Sequence, residues 1–247
     1  MLPILQIGPL AIQLPGLLVL LGLWLGLSLA EKYAPGRGIR SNQIYSFTIL
    51  AIVAGVLGAR LVYVLRFFSN FAHSPESVFS LSSELLDPTG ALLGVGFVFW
   101  NFIHRIKINP WLLLDALAPI LAVLAVAGAL SNLSSGKGFG APTQVPWAIF
   151  LWGEWRHPTQ IYELISAGIT LGIYWPSHQH IQRGAPGIYG LSLLAVTAAL
   201  RLFLEVFRGD SVTLAGGYRL AQLIAWAILA LSLWAITKRP SQPPSTE

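Results

Sequence analysis

Long apolar stretches recur along the chain and are separated by short segments that carry most of its charged residues. A transmembrane helix needs roughly 20 apolar residues to cross about 30 Å of hydrocarbon. The stretches lack the alternation of apolar and polar residues that membrane strands show, so strands are not expected. The pattern therefore predicts an all-α, polytopic membrane protein with seven transmembrane helices. The predicted spans are 10–30, 43–65, 90–103, 110–130, 160–175, 187–206 and 214–237.

Composition supports this class of protein. Charged residues make up 10% of the chain, against about 25% in soluble domains, and the mean hydropathy is +0.67. These values exclude a disordered chain, a nucleic-acid-binding domain and an ordinary cytosolic enzyme. The chain has no cysteine, which excludes disulfides, thiolate metal sites and thiol nucleophiles of its own. Residues 1–239 are expected to form one transmembrane domain, followed by a disordered, Pro-rich cytoplasmic tail at 240–247.

The distribution of Lys and Arg predicts the orientation. Segments on one side of the predicted spans hold eight of the 15 basic residues, and the positive-inside rule assigns this side to the cytoplasm. The N-terminus is then outside and the C-terminus is cytoplasmic. A signal peptide cleaved after residues 28–30 is the alternative, but its basic N-terminal region is missing and the apolar run is too long. The basic segments are 31–42, 104–109, 176–186 and the residues after 237.

Two arginines, Arg60 and Arg201, lie inside predicted spans. Ionisable groups at such depth are functional candidates, although both side chains could instead reach toward the headgroups. Arg201 could also form an ion pair with Glu205, four residues further along the helix. Arginine binds phosphate through two parallel hydrogen bonds, and Arg208 shares a helical face with Arg201. These residues could therefore hold a lipid phosphate at the outer leaflet.

The segment 156–164 places several polar side chains at the start of the fifth predicted span. Once helical, Gln160 and Glu163 share a face, and His157 approaches this face from the helix cap. Arg156 and Tyr162 complete the group. Polar groups in lipid must satisfy one another or line a wet cavity, so the segment predicts a polar site.

This segment reads R-H-P-T-Q-I-Y-E at 156–163 and resembles the RHPSQLYE motif of the prolipoprotein diacylglyceryl transferase family. Residues 58–63 resemble its G-G-R-x-x-Y, residues 200–208 its F-R-x-x-x-E-x-x-R, and residues 7–12 its I-G-P-x-x-I. The resemblance covers nearly the whole chain and implies a bacterial inner-membrane protein. Family members transfer diacylglyceryl from phosphatidylglycerol to a lipoprotein cysteine thiol at the outer leaflet, and they release glycerol phosphate.

The chain departs from the family's central motif, G-R-x-G-N-F-x-N-x-E. The arginine of that motif is replaced by Ala129, its second asparagine by Ser135 and its glutamate by Lys137, whereas Asn132 and Gly140 are kept. These replacements remove a cation and reverse a local charge.

Two further family positions differ. The histidine of an H-G-G motif corresponds to Thr89, and the tyrosine of a W-Y-G motif corresponds to Pro15. Threonine cannot accept a proton near neutral pH. The departures favour a catalytically degenerate, lipid-binding accessory or structural subunit of a larger respiratory or photosynthetic membrane complex. The alternative is a divergent but active transferase.

The candidate site residues follow from the resemblance. Phosphate contacts are expected from Arg60, Arg156, Arg201 and Arg208. The polar lining is expected from Asn132, Gly140, Gln160, Tyr162 and Glu205. Catalysis, in an active enzyme, would fall to His157, Glu163 and Arg201.

The expected ligands and partners are lipids and membrane proteins. We expect a bound phosphatidylglycerol-like phospholipid, membrane-protein partners and, if the chain is active, lipoprotein precursors. No cofactor and no nucleic acid is expected. A metal site is not expected either, because His157 is predicted outside whereas His178 and His180 are predicted on the cytoplasmic side.

Overall fold

The structure is a computed structural model that describes residues 4–7, 10–72, 86–176 and 185–239. Most of these residues are helical. The α-helices are α1 (Leu14–Tyr33), α2 (Ser41–Arg66), α3 (Phe68–Ala72), α4 (Pro88–Arg105), α5 (Pro110–Ser135), α6 (Thr159–Ile173), α7 (Ile188–Leu204) and α8 (Leu220–Thr237). The strands are β1 (Ile4–Ile7), β2 (Leu10–Gln13), β3 (Ile149–Leu151) and β4 (Glu154–Arg156).

Each predicted span corresponds to a helix, and the protein is confirmed as a mainly helical membrane protein. Five helical segments are long and apolar enough to cross a membrane. The helices α4 and α6 are not among them, so the seven crossings and the orientation of the termini stay predictions. The five segments are Leu14–Arg37, Ser41–Arg66, Pro110–Ser135, Ile188–Phe207 and Leu220–Thr237.

The expectation that strands are absent is wrong. Strands β1 and β2 pair antiparallel, as do β3 and β4. Each strand has three or four residues, which is too short for an alternating pattern to stand out from the sequence.

Two predicted span boundaries are also wrong. Residues 10–13 form β2, and α1 begins afterwards with Pro15 in its first turn, where the missing N–H of proline costs no helical hydrogen bond. Residues 214–219 form a turn before α8. The N–H of Leu214 donates to the carbonyl of Tyr218, and Gly216 and Gly217 adopt positive φ angles. The predicted tail at 240–247 lies outside the described residues.

The chain divides into two compact units, one of residues 39–110 and one of residues 1–38 with 111–247. In the first unit, small residues bring α2 and α4 together. A Cβ added at Gly90 would lie 2.2 Å from the carbonyl oxygen of Gly58, and one at Gly94 would lie 2.1 Å from that of Ala54. Such small-residue contacts allow close backbone approach in lipid. The prediction of one domain over 1–239 stays a prediction.

In the second unit, α1 packs against α5 through a similar pair of glycines. A Cβ at Gly22 would lie 2.3 Å from the Cβ of Ala127, and one at Gly26 would lie 2.9 Å from the Cα of Ile120. The packing therefore requires that these two positions have no side chain.

A buried carboxylate joins three parts of this unit. Asp115 on α5 is fully buried, and it accepts hydrogen bonds from the N–H groups of Gly187 (2.8 Å) and Gly190 (2.9 Å). It also pairs with Arg37 at 3.3 Å. Asp115 thus satisfies N–H groups at the start of α7 that the helix itself leaves unpaired, and its charge is compensated as apolar surroundings require.

Candidate functional site

Helices α6 and α7 bring oppositely charged side chains together near their ends. Arg201 and Arg208 both contact the Oε1 atom of Glu163, at 2.7 Å and 2.6 Å respectively. Arg201 also pairs with Glu205 at 2.9 Å. Asp210 accepts two hydrogen bonds from Arg208, one from Nε (3.0 Å) and one from Nη2 (2.9 Å). We call these five residues the charge cluster.

The members of the charge cluster differ in exposure. The side chains of Glu205, Arg208 and Glu163 are buried or nearly so, whereas 38% of the Arg201 side chain is exposed. A guanidinium carries five N–H donors, and the ion pairs of Arg201 with Glu163 and Glu205 each engage one of its terminal nitrogens. Arg201 is therefore the cation of the cluster that is best placed to meet a ligand.

Burial lowers the pKa of the Arg208 guanidinium, but the nearby carboxylates outweigh this effect. Glu163 and Asp210, with a smaller contribution from Glu205, raise the pKa of Arg208 above its ordinary value. Arg208 therefore remains a cation whose donors are directed at carboxylates of the protein.

The loop after α5 is fixed against the charge cluster. The N–H of Gly138 donates to Asp210 at 2.9 Å, and the carbonyl of Gly138 accepts from the hydroxyl of Thr159 at 2.6 Å. Gly140 lies so close to the next segment that an added Cβ would sit 2.2 Å from the carbonyl oxygen of His157. This contact explains why position 140 requires glycine.

A cavity of about 260 Å³, which we call the polar cavity, lies between α5, α6 and α7. Arg201 and Glu163 are in its wall, and Asn132 donates a hydrogen bond to Glu163 at 3.3 Å. Ala129, at the position of the family's central arginine, contributes a methyl group to the same wall. The remaining lining is Leu124, Ala125, Gly128, Ser166, Ala167, Thr170, Thr197, Leu200 and Leu204.

A larger cavity of about 540 Å³, the aromatic cavity, lies on another side of α6 and α7. Its wall includes His157, whose Nδ1 is buried and has no hydrogen-bond partner among the described residues. The hydroxyl of Tyr162 accepts a hydrogen bond from Trp147 at 2.6 Å. The rest of the lining is Ile165, Ser166, Ile169, Leu200, Phe203, Leu204 and Phe207.

A third cavity of about 320 Å³, the α8 groove, lies between α7 and α8. Arg201 and Thr197 line it as well as the polar cavity. The other lining residues are Leu194, Ala198, Ala221, Ile224, Ala225 and Ile228.

The structure brings together some of the sequence-predicted site residues. Arg201, Arg208, Glu163 and Glu205 meet in the charge cluster, and Asn132 contacts it. The alternative in which Arg201 pairs with Glu205 is confirmed, since Arg201 makes this contact in addition to the one with Glu163.

Gln160 and Arg156 have different surroundings. Gln160 is fully buried, and neither polar atom of its side chain has a hydrogen-bond partner among the described residues. Arg156 donates to the carbonyls of Leu151 and Gly140, both at 3.2 Å, and pairs with Glu154. Its guanidinium therefore fastens the β3–β4 hairpin to the loop at Gly140.

Arg60 and Thr89 belong to the unit of residues 39–110. The Arg60 guanidinium lies 5.3 Å from the ring centre of Phe71. Thr89 is in the first turn of α4, and its N–H donates to the capping carboxylate of Asp87 at 2.8 Å. The phosphate role predicted for Arg60 stays a prediction, as do the site roles of the other candidates.

Asp210 is a member of the charge cluster that was not predicted from the sequence. The signal was present, because an acidic residue two positions after Arg208 can reach back to the same guanidinium. Within the described ranges, no group of three His, Asp or Glu side chains lies close enough to hold a metal ion. His178 and His180 lie outside the described residues.

Comparisons with known proteins agree with the motifs. A family profile described as "Prolipoprotein diacylglyceryl transferase" matches residues 3–238. Three similar proteins each carry the name phosphatidylglycerol–prolipoprotein diacylglyceryl transferase. The one from Synechococcus elongatus is 29% identical, covering 92% of this chain and 83% of its own length. The one from Trichormus variabilis is 28% identical, with 98% and 94% covered, and the one from Nitratidesulfovibrio vulgaris is 29% identical, with 94% and 91% covered.

Proposed function

The chain belongs to the prolipoprotein diacylglyceryl transferase family, and from this premise we propose that it is a divergent but active transferase. It moves the diacylglyceryl group of phosphatidylglycerol to the cysteine thiol of a lipoprotein precursor. The chain is a multi-pass protein of the bacterial cytoplasmic membrane, where both substrates meet. The observation that carries the proposal is the partly exposed Arg201 guanidinium in the wall of the polar cavity.

Arg201 binds the lipid phosphate. Attack at the glycerol carbon breaks the bond from this carbon to the phosphate oxygen, and the departing glycerol phosphate gains a second negative charge. A fixed cation in a low-dielectric site stabilises this developing charge. Glu163 and Glu205 hold the Arg201 guanidinium from two sides, so its position is set before the lipid arrives.

His157 accepts the thiol proton. The sulfur then forms the bond to the glycerol carbon, and the thioether product keeps both acyl chains. Support comes from the imidazole in the wall of the aromatic cavity, with its Nδ1 unpaired among the described residues. Histidine is the side chain that most often serves as a general base. Glu163 serves to position the two arginines rather than to move a proton.

A second candidate function is the non-catalytic one, in which the chain binds phospholipid as a subunit of a membrane complex. Ala129 favours this function, because it supplies a methyl group to the polar cavity where the family pattern has an arginine. The exposed Lys137 replaces a family glutamate on the nearby loop. Family membership alone does not separate the two functions, and the host complex stays a prediction.

Reconstituted transfer tests the proposal. The purified chain is mixed with phosphatidylglycerol vesicles and a lipobox peptide that contains one cysteine, and the thioether product is measured by mass spectrometry. We expect product from the wild type. We expect a loss of about 10²–10³-fold in kcat/KM for Arg201→Ala, the size usual for a charge-stabilising donor, and about 10²-fold or more for His157→Ala.

The matched control is Arg105→Ala, which removes an exposed arginine at the end of α4 and should leave transfer unchanged. If wild-type protein forms no product and does not support a strain depleted of its own transferase, the non-catalytic function is the correct one. Equal activity of wild type and Arg201→Ala would reject the assigned role of Arg201.

A further inference from the structure

Arg201 stands on a ridge between two cavities. Thr197 and Arg201 are one turn apart on α7, and both line the polar cavity on one side and the α8 groove on the other. The hydroxyl of Thr197 donates to backbone carbonyls of Leu193 and Leu194, at 2.9 and 3.0 Å. Because the hydroxyl hydrogen is already used by its own helix, Thr197 has no donor left for a phosphate.

The walls that flank this ridge suit hydrocarbon. Beyond the ridge, the α8 groove is lined by Leu, Ile and Ala side chains. On the other side, Leu124, Ala125, Leu200 and Leu204 contribute apolar wall to the polar cavity. The Arg201 guanidinium lines both cavities, and 38% of the side chain is exposed although Glu163 and Glu205 hold it, so it can still donate to a phosphate.

We propose that one phospholipid straddles this ridge, with its phosphate at Arg201, one acyl chain in the polar cavity and the other in the α8 groove. The identity of the lipid as the diacylglyceryl donor rests on the proposed function. The seating places the two chains on opposite sides of Thr197, and it directs the glycerol carbon that carries the phosphate toward the charge cluster. The aromatic cavity, whose wall does not include Arg201, is left for the peptide substrate.

Filling one cavity at a time tests this seating. Ala221 lines the α8 groove and Ala167 lines the polar cavity, so Ala221→Phe and Ala167→Phe each obstruct the path of one chain. Ala227→Phe on the exposed face of α8 is the matched control. Binding of dipalmitoyl phosphatidylglycerol and of its one-chain lyso form is measured on the purified protein by native mass spectrometry.

We expect each obstructing variant to weaken binding of the two-chain lipid by about tenfold or more, because several methylenes lose their buried contacts. Binding of the one-chain lipid should change less than about twofold, because the open cavity still accepts its single chain. The control should bind both lipids as the wild type does. If Ala221→Phe and Ala227→Phe bind the two-chain lipid equally well, or if obstruction weakens both lipids alike, the seating is wrong.

Photo-crosslinking covers the case in which an obstructing variant does not fold. Wild-type protein is labelled with phosphatidylglycerol that carries a diazirine on one chain, and then with lipid labelled on the other chain. We expect the two probes to label different sides, one near Leu124 and the other near Ile228. Labelling of a single side by both probes would overturn the seating.

The outcome for seating is separable from that for catalysis. Both readouts above measure bound lipid and need no turnover. If the protein shows the two-sided pattern but forms no thioether, the lipid seating is supported and the proposed function is contradicted. If it transfers diacylglyceryl without this pattern, the proposed function is supported and the lipid seating is contradicted.

Discussion

Asp210 sets the direction of Arg208, and its charge is predicted to matter for transfer although it need not touch substrate. Replacing it as Asp210→Asn weakens two charge-assisted hydrogen bonds to Arg208 and the contact with Gly138. Such bonds contribute about 1.5–3 kcal/mol each. We expect kcat to fall about tenfold, with a smaller change in the KM for phosphatidylglycerol.

Steady-state kinetics with Asp210→Asn, Asp210→Glu and the exposed-site control Glu31→Gln measure this effect. Asp210→Glu keeps the charge and should recover part of kcat. If Asp210→Asn and Glu31→Gln have the same kinetics, Arg208 does not depend on Asp210 for its position.

Among the carboxylates of the described residues, Asp115 is predicted to cause the largest loss of folding stability when it is replaced. Asp115→Asn removes the ion pair with the buried Arg37 and weakens the hydrogen bonds to Gly187 and Gly190. Breaking a buried pair on one side costs about 3–5 kcal/mol. Thermal unfolding in detergent should shift down by about 6–20 °C, at about 2–4 °C per kcal/mol.

The double variant Arg37→Met with Asp115→Asn removes both charges and provides the comparison. We expect it to be more stable than Asp115→Asn alone, because the buried guanidinium that has lost its ion pair with Asp115 is no longer present. The opposite order of stability would show that the cost comes from the capping of α7 and not from the charge.

At the scale of helices, two glycines of α4 give a matched pair. Gly94 packs on the backbone of α2, where a Cβ would lie 2.1 Å from the carbonyl oxygen of Ala54, whereas a Cβ at Gly96 would meet nothing within 4 Å. Gly94→Ala should therefore destabilise the protein. Gly96→Ala should be neutral or slightly stabilising, since alanine favours helix by about 1 kcal/mol over glycine. The melting temperatures of the two variants are measured in detergent. Equal shifts from the wild-type value would refute the close packing at Gly94.

Most helices could be predicted from the sequence because a helix buried in lipid requires a long run of apolar residues. The boundaries were less accurate where local hydrogen bonding replaced the helix. Residues 10–13 are apolar enough for a span, yet they pair as β2 with a strand formed by residues 4–7. The turn before α8 was missed for the same reason, since Gly216 and Gly217 allow a reversal that apolarity does not reveal.

The candidate site was predictable in part. The arginines and Glu163 were found because charges inside apolar runs are conspicuous and because the segment resembles a family motif. No role was predicted for Asp115, although it also lies in a predicted span. Asp210 was not predicted as a site residue because its contacts depend on the fold. Pairing of α6 with the end of α7 is a long-range contact that no local pattern encodes.

For the whole molecule, a reporter placed after Pro142 tests whether α4 crosses the membrane. If α4 crosses, this point is outside, given an outside N-terminus; if α4 does not cross, this point is cytoplasmic. Helix α4 spans about 27 Å and α6 about 22 Å at 1.5 Å per residue, against about 30 Å of hydrocarbon. We expect periplasmic alkaline phosphatase activity at 142 because the basic residues favour seven crossings.

A reporter after Lys238 is the companion measurement, and we expect it to be active in the cytoplasm. The termini lie on opposite sides for five or seven crossings and on the same side for six. With 142 outside, a cytoplasmic reporter at 238 therefore shows that α6 crosses as well. Phosphatase activity at 238 would contradict the predicted cytoplasmic C-terminus. A cytoplasmic reporter at 142 would leave α4 as a helix that enters the membrane without crossing it.

Helix α7 is held at both ends by carboxylates from other helices. Asp115 binds its first turn at Gly190, and Glu163 binds its last turn at Arg201. The helix between these two attachments is a spacer of about 16 Å whose length is set by residue count. Deleting one residue from it would turn Arg201 by about 100° relative to the first turn and carry the guanidinium away from Glu163. The number of residues in this spacer is therefore constrained apart from their identity, because an insertion or a deletion dismantles one attachment or the other.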